Sequence, residues 1–316
     1  MSPEANMKIE PRSYRDESDL AKMYALLRAG SAAANGTFYA QVGDVNWWLY
    51  YPPFEGEIWP HLSLWDDPSD PECLLAWSVI DPNWGAFDVY VQPELRRTPL
   101  AEEIYIWAEE HTAAILRAAG QDTIRANYIS QNDDVVIARL LARGFQRTQE
   151  DAVCMIQSLD GLLLRPALPD GYTVRGSKGE IEVAVRATAQ YNAFTNTAPF
   201  DIYVERFRRF MRSPVYDPET DVVAVSPDGR IGSFCIVWPD PVTGAGLFEP
   251  VGTHPDFRQR GLGKAVMIEA LHRLKDRGMN RAIVCTLVNN TPGIKLYEAA
   301  GFRIIDRMGT YEKKLD

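Results

Sequence analysis

From residue 221 onward the apolar and polar positions fall into a readable order. Residues 221–226 and 230–238 alternate as strands do, and Pro227-Asp228-Gly229 between them is hairpin-turn chemistry. Residues 239–246 read as a loop and 247–253 as the next strand. Over 261–277 the apolar side chains Leu262, Val266, Met267, Leu271 and Leu274 recur at helical spacing, with Gly278 placed to end the helix. Residues 282–288 form a β-rich run that predicts a buried strand. Residues 292–300 predict a short helix opened by proline and closed by Gly301. Antiparallel strands followed by strand–helix–strand–helix–strand predict a mixed α/β (α+β) sheet flanked by helices.

The same pattern is present earlier in weaker form. Residues 8–11 and 19–30 predict a short strand and an amphipathic helix, as do 172–175 and 179–194. Each half ends on a Gly-Phe pair, Gly144-Phe145 and Gly301-Phe302, followed by a strand-like tail. Repetition at domain length points to duplication rather than to a solenoid. Two prolines and two Asp-Gly pairs interrupt residues 159–172, so the boundary is placed there, giving domains 1–160 and 161–316.

Composition narrows the functional classes. The 316 residues are 46% apolar and 24% charged, as in an ordinary globular protein, with a net charge of −10. That charge repels phosphate backbones and argues against nucleic-acid binding. Cys73, Cys154, Cys235 and Cys285 sit singly in apolar runs, as buried reduced thiols do. The N-terminal residues lack the apolar core of a signal peptide and no run reaches membrane-span length, so a cytoplasmic monomer or homodimer without metal is expected. A tryptophan-rich stretch (Trp47, Trp48, Trp59, Trp65, Trp77, Trp84) suits either a ligand pocket or, as such residues are more often used, core packing.

The segment that carries chemistry is 249–264, EPVGTHPDFRQRGLGK. A strand, a turn and a helix start bring Arg258-Gln259-Arg260-Gly261-Leu262-Gly263-Lys264 to a helix N-terminus. Glycines there admit close backbone approach, free N–H groups and the helix dipole favour an anion, and two arginines add charge. A pyrophosphate is the natural guest. A Walker loop fails because Ala265 follows Gly263-Lys264, and a dinucleotide fingerprint fails for want of a third glycine.

This segment resembles the GNAT acetyltransferase superfamily, whose hallmark is Arg/Gln-x-x-Gly-x-Gly/Ala after a strand that often ends Val-x-Pro-Asp/Glu-Tyr/Phe-Arg; here it reads Thr253-His254-Pro255-Asp256-Phe257-Arg258. A second signature, an Asn, then Leu-Tyr-Glu on a short helix, then Gly-Phe, stands as Asn290, Leu296-Tyr297-Glu298 and Gly301-Phe302. The likeness covers residues 172–316. It implies that the backbone of Val251, Gly252 and Thr253 holds a pantetheine arm and that residues 258–264 cradle the pyrophosphate. It further implies that Asn290, or its neighbour Asn289, contacts acetyl-CoA and that Tyr297 lies beside its sulfur. It thus implies acetyl-CoA as cosubstrate and a small-molecule or peptide amine as acceptor. A thiol of pKa about 8.5 is a fair leaving group, and a tyrosine of pKa about 10 can donate its proton. A main-chain N–H near Val251 could polarise the carbonyl. Glu249, two residues before Val251 on the same strand face, is the candidate base; a solvated strand-end carboxylate is the plain alternative. His254 is expected to serve the turn, and His61, His111 and His272 show no partner spacing.

In the first half, Gln92-Pro93-Glu94-Leu95-Arg96 aligns with 254–258, Pro99 stands where Gly261 does, and Leu140 stands where Tyr297 does. Proline offers no N–H to a phosphate and leucine no proton. The expectation is two tandem GNAT-type domains, a degenerate first and an active second, a layout similar to mycothiol synthase-like enzymes. An acyl-CoA sensor, or a transferase for another acyl group or acceptor, uses the same cradle.

Overall fold

The computed structural model of the chain describes residues 9–34, 40–51, 61–161, 164–194, 196 and 198–315. The strands are β1 (Arg12–Ser13), β2 (Leu62–Asp67), β3 (Asp70–Asp81), β4 (Ala86–Val91), β5 (Thr123–Ser130), β6 (Gln146–Ser158), β7 (Thr173–Gly176), β8 (Asp221–Val225), β9 (Ile231–Asp240), β10 (Ala245–Thr253), β11 (Arg281–Leu287) and β12 (Arg303–Lys314). The helices are α1 (Glu17–Ala33), α2 (Val42–Tyr50), α3 (Pro99–Ala118), α4 (Asp134–Ala142), α5 (Val183–Ala193), α6 (Phe200–Met211), α7 (Leu262–Asp276) and α8 (Thr291–Ala299).

A cut at residue 160 divides the sequence; the compact units are assembled differently. One unit combines residues 1–40, 54–151 and 307–316, and the other combines 41–53 with 152–306. The second unit therefore takes α2 and most of β6 from the first half of the sequence, and the first unit takes most of β12 from the chain's end.

In the first unit β1 to β4 pair antiparallel in sequence order, β4 meets β5 in parallel, and β12 pairs antiparallel with β5. Its core holds Trp65, Ile104, Leu116, Ile124 and Phe145. In the second unit the order is β6-β11-β10-β9-β8-β7, antiparallel except between β10 and β11. All five apolar positions predicted to face inward on α7, from Leu262 to Leu274, are buried in its core with Phe248 and Phe302. Each such side chain contributes about 1.5–3 kcal/mol relative to exposure.

Differences from the pattern reading have local causes. The predicted loop 239–246 shortens to a turn because β9 runs on to Asp240, whose carboxylate accepts from Val242 N and Thr243 Oγ1. Helix α6, to which the sequence reading gave no element, buries Tyr203, Phe207, Phe210 and Met211 along one face. The tryptophans divide between both readings: Trp65 and Trp77 are core residues, Trp47 lines a cavity described below and Trp84 is exposed. Trp59 and the start of the predicted strand at Lys8 lie outside the described residues.

Candidate active site

Strand β10 pairs with β11 only at Ala245, Gly246 and Leu247, while its pairing with β9 continues to Thr253. Beyond Leu247 the edge of β10 that faces β11 has no strand partner, so its N–H and C=O groups are left for something else. The β9–β10 register shifts between Phe248 and Val251, where the cis Glu249–Pro250 peptide lies. Val251, Gly252 and Thr253 thus stand on an open, splayed edge, and Ser233 Oγ steadies it by donating to Gly252 O at 2.9 Å.

A single 3-10 turn, Pro255–Phe257, follows. His254 Nδ1 accepts from Asp256 N at 3.2 Å, the turn role expected of it. Phe257 is buried and anchors the turn, with the guanidiniums of Arg230 and Arg260 at 4.6 and 5.4 Å from its ring centre. Gln259 and Gly261 then take positive φ, +61° and +75°, and Gly261 caps α7. A Cβ built on Gly261 would meet nothing within 4 Å, so the helix end faces open space. Arg258, Gln259, Arg260 and Lys264 are exposed around it, while Leu262 and Gly263 are buried beneath. The first N–H groups of α7 have no intrahelical acceptor. Donors, cations and a bare backbone at one open point fit the diphosphate of coenzyme A. Arg260 Nη1 donates to Tyr172 Oη at 2.8 Å, which fixes the rim.

Tyr297 lies on α8, buried at 6% exposure, its ring 6.3 Å from that of Phe302. Burial, reinforced by the neighbouring Cys285, Cys235 and Glu249, pushes its hydroxyl up to about 12, so it stays protonated at neutral pH. Asn290 caps α8: its Oδ1 accepts from Gly293 N at 3.1 Å, and its Nδ2 donates to Thr286 Oγ1 at 2.9 Å. Asn289 beside it is exposed.

Glu249 as a residue is partly buried, but its Oε2 is shut off from solvent and has no hydrogen-bond donor. Burial, and next the nearby carboxyl of Asp44, raise Glu249 well above the usual carboxylate range. Asp44 on α2 is itself raised to about 6, chiefly by burial, although its Oδ2 accepts from Gln41 N at 2.6 Å. Next to Glu249, Pro250 forms part of the wall of a cavity of about 300 Å³ with Trp47, Tyr51, Phe194, Tyr203 and Arg206. Gln190, also in that wall, accepts from Arg186 Nη1 at 3.2 Å, and Arg186 is fully buried against Asp221 at 2.9 Å. That pair braces α5 against β8.

The sequence reading had therefore named the cradle, the open strand edge, Tyr297 and Glu249, and these occupy one unit. It had not named Asp44, Tyr51, Gln190, Tyr203 or Arg206. Two of these lie in the aromatic-rich segment 41–53, whose membership of the second unit no local pattern reveals.

Residues 187–302 match the Acetyltransferase (GNAT) family. The matched stretch lies wholly in the second half of the chain. Among curated proteins, this chain is similar to the mycothiol acetyltransferase of Saccharomonospora viridis, at 28% identity over 62% of this chain and 67% of that one. It is likewise similar to the mycothiol acetyltransferase of Arthrobacter sp., at 26% identity over 75% and 73%. Among solved structures, a tandem GNAT protein from the clavulanic acid biosynthesis pathway superposes with a TM-score of 0.69 at 17% identity, covering 97% of this chain and 98% of that one. A GCN5-related N-acetyltransferase from Sphaerobacter thermophilus gives 0.66 at 21% identity, over 96% and 95%. At those identities the superpositions show the fold, a tandem of two GNAT-type domains, each with a mixed, mostly antiparallel sheet. GNAT acetyltransferases use acetyl-CoA as cosubstrate. Among the described residues no helix is long and apolar enough to cross a membrane.

Proposed function

We propose that the protein moves an acetyl group from acetyl-CoA to a primary amine by direct attack. The observation that carries this reading is the open edge of β10, which runs from the exposed Gly261 turn to the buried pair Glu249 and Tyr297. The backbone of Val251, Gly252 and Thr253 would hold the pantetheine arm, and Arg258, Gln259, Arg260, Gly261, Leu262, Gly263 and Lys264 the diphosphate. Asn290 already spends both ends of its amide inside the fold, so Asn289 is the better placed of the two for a cofactor contact. Bound acetyl-CoA supplies a thioester carbonyl from which a thiol can be displaced. Glu249 takes a proton from the entering amine, and its raised affinity for protons makes it a stronger base than an exposed carboxylate. Tyr297, neutral at working pH, donates to the departing sulfur. A β10 N–H near Val251 polarises the carbonyl.

The acceptor would enter the cavity walled by Trp47, Tyr51 and Tyr203. A second reading takes the acceptor from the relatives, which are mycothiol acetyltransferases. It is favoured by the similarity reaching into the first half of the chain. Calorimetric titration of acetyl-CoA, followed by release of free thiol with a panel of primary amines that includes the relatives' acceptor, tests both. One site per chain and amine-dependent thiol release support the proposal. Binding without release for any amine removes it.

A further inference from the structure

We infer that Asp44, contributed by the first half of the sequence, is a positioning residue for proton removal: its carboxyl and that of Glu249 form one two-carboxyl proton acceptor beside the acceptor cavity. This rests on the reading of Glu249 as base and assigns it a partner.

The placement is built from both sides of one indole. A Cβ on Gly43 would lie 2.6 Å from Trp238 Cβ, so only glycine lets α2 settle this closely on β9. Trp238 Nε1 in turn donates to Glu249 O at 2.7 Å, which fixes the backbone that carries the second carboxyl. The next residue on α2, Asp44, is oriented by a capping box in which it accepts from Gln41 N, and its carboxyl stands next to that of Glu249. Two neighbouring carboxyls in a buried place hold a proton between them more readily than both ionise. Glu249 Oε2 meanwhile has no donor, a costly state for a buried oxygen that an entering ammonium would relieve.

The other groups acting here are neutral or acidic. The thiol of Cys285 on β11 feels both carboxyls, and Tyr297 on α8 feels Glu249 and the thiols of Cys285 and Cys235. The cation in the wall of the adjoining cavity is Arg206. The pair with one proton carries a single negative charge. When it accepts a proton from an ammonium, an N–H bond breaks, an O–H bond forms on Glu249, and both partners become neutral. The free amine is then the nucleophile.

The test uses the ligand-free full chain labelled with ¹³C at the carboxyl carbons of Asp and Glu, titrated by NMR as wild type, Asp44→Asn and Glu249→Gln. The Glu249 signal, identified by its loss in Glu249→Gln, should titrate about one pH unit or more lower in Asp44→Asn. In a further chain, Glu249→Leu, the Asp44 signal should titrate higher, because the neighbouring Glu249 lowers the Asp44 carboxyl; this keeps the test intact if Asp44→Asn weakens α2. A Glu249 midpoint unmoved in Asp44→Asn, or an Asp44 midpoint unmoved in Glu249→Leu, overturns the inference and leaves Asp44 a helix cap. The two readings separate on turnover with the best amine of the panel. Retained activity in Glu249→Gln sinks the base assignment itself, whereas an inactive Glu249→Gln with uncoupled titrations sinks only the pairing.

Discussion

The two units present the same turn with different residues around it. In the first, β4 and β5 pair in parallel at Ala86 and Arg125, a 3-10 turn spans Pro93–Leu95, and α3 follows. In the second, β10 and β11 pair briefly, a 3-10 turn spans Pro255–Phe257, and α7 follows. The helix starts differ. Thr98 caps α3 with negative φ and Pro99 fills the first position, while Gly261 caps α7 with φ of +75° and open space around it. The cations differ too. Arg96 is ion-paired with Asp133, so its charge is spent inside the fold. Arg258 has only a 3.4 Å contact with Thr253 O and is exposed. Leu140 is a buried core residue where its counterpart Tyr297 carries a hydroxyl. The residues that differ around the turn are few, and the two cores are built alike around them.

The largest expected effect comes from importing the first unit's residue into the second. Gly261→Pro removes an N–H and is incompatible with positive φ, so acetyl-CoA binding should vanish from calorimetry; a surviving site would place the cofactor elsewhere. Tyr297→Phe keeps the ring and removes the proton, and kcat should drop roughly 10- to 1,000-fold. An unchanged kcat would take Tyr297 out of the mechanism.

The pH dependence follows from the acidic pair. Both carboxyls have folded-state proton affinities raised above their unfolded values, so the folded chain holds more protons and stability falls as pH rises through that window. For Asp44 the window runs from its ordinary 3.8 to about 6. Relative to wild type, Asp44→Asn should therefore gain in Tm between pH 4 and pH 8. Activity runs the other way, rising with pH as the pair loses the first of its two protons; a flat profile across that window would argue against carboxylate base chemistry.

A smaller effect is expected from Gly43→Ala. Its methyl group would crowd Trp238, costing about 1–3 kcal/mol in denaturant melts and loosening the Asp44 contact. The smallest concerns the first unit. Pro99→Gly restores an N–H but leaves the charge of Arg96 neutralised, so the stoichiometry of acetyl-CoA should stay at one per chain.

The sequence by itself determined the parts whose reasons are local. Glycines at a helix start, the arginines around them, apolar positions every third or fourth residue on α7, and a proline where an N–H is needed all act within a few residues of themselves. Their meaning survives without knowledge of the rest. The tertiary structure alone decided which unit residues 41–53 join, and so which carboxyl faces Glu249 and which aromatic rings wall the cavity. Asp44 and Glu249 lie some two hundred positions apart, and what joins them is the fit of a glycine against one tryptophan and a hydrogen bond from that same indole. Such packing is set by the shape of two surfaces meeting in space, and the order of residues along either one does not contain it.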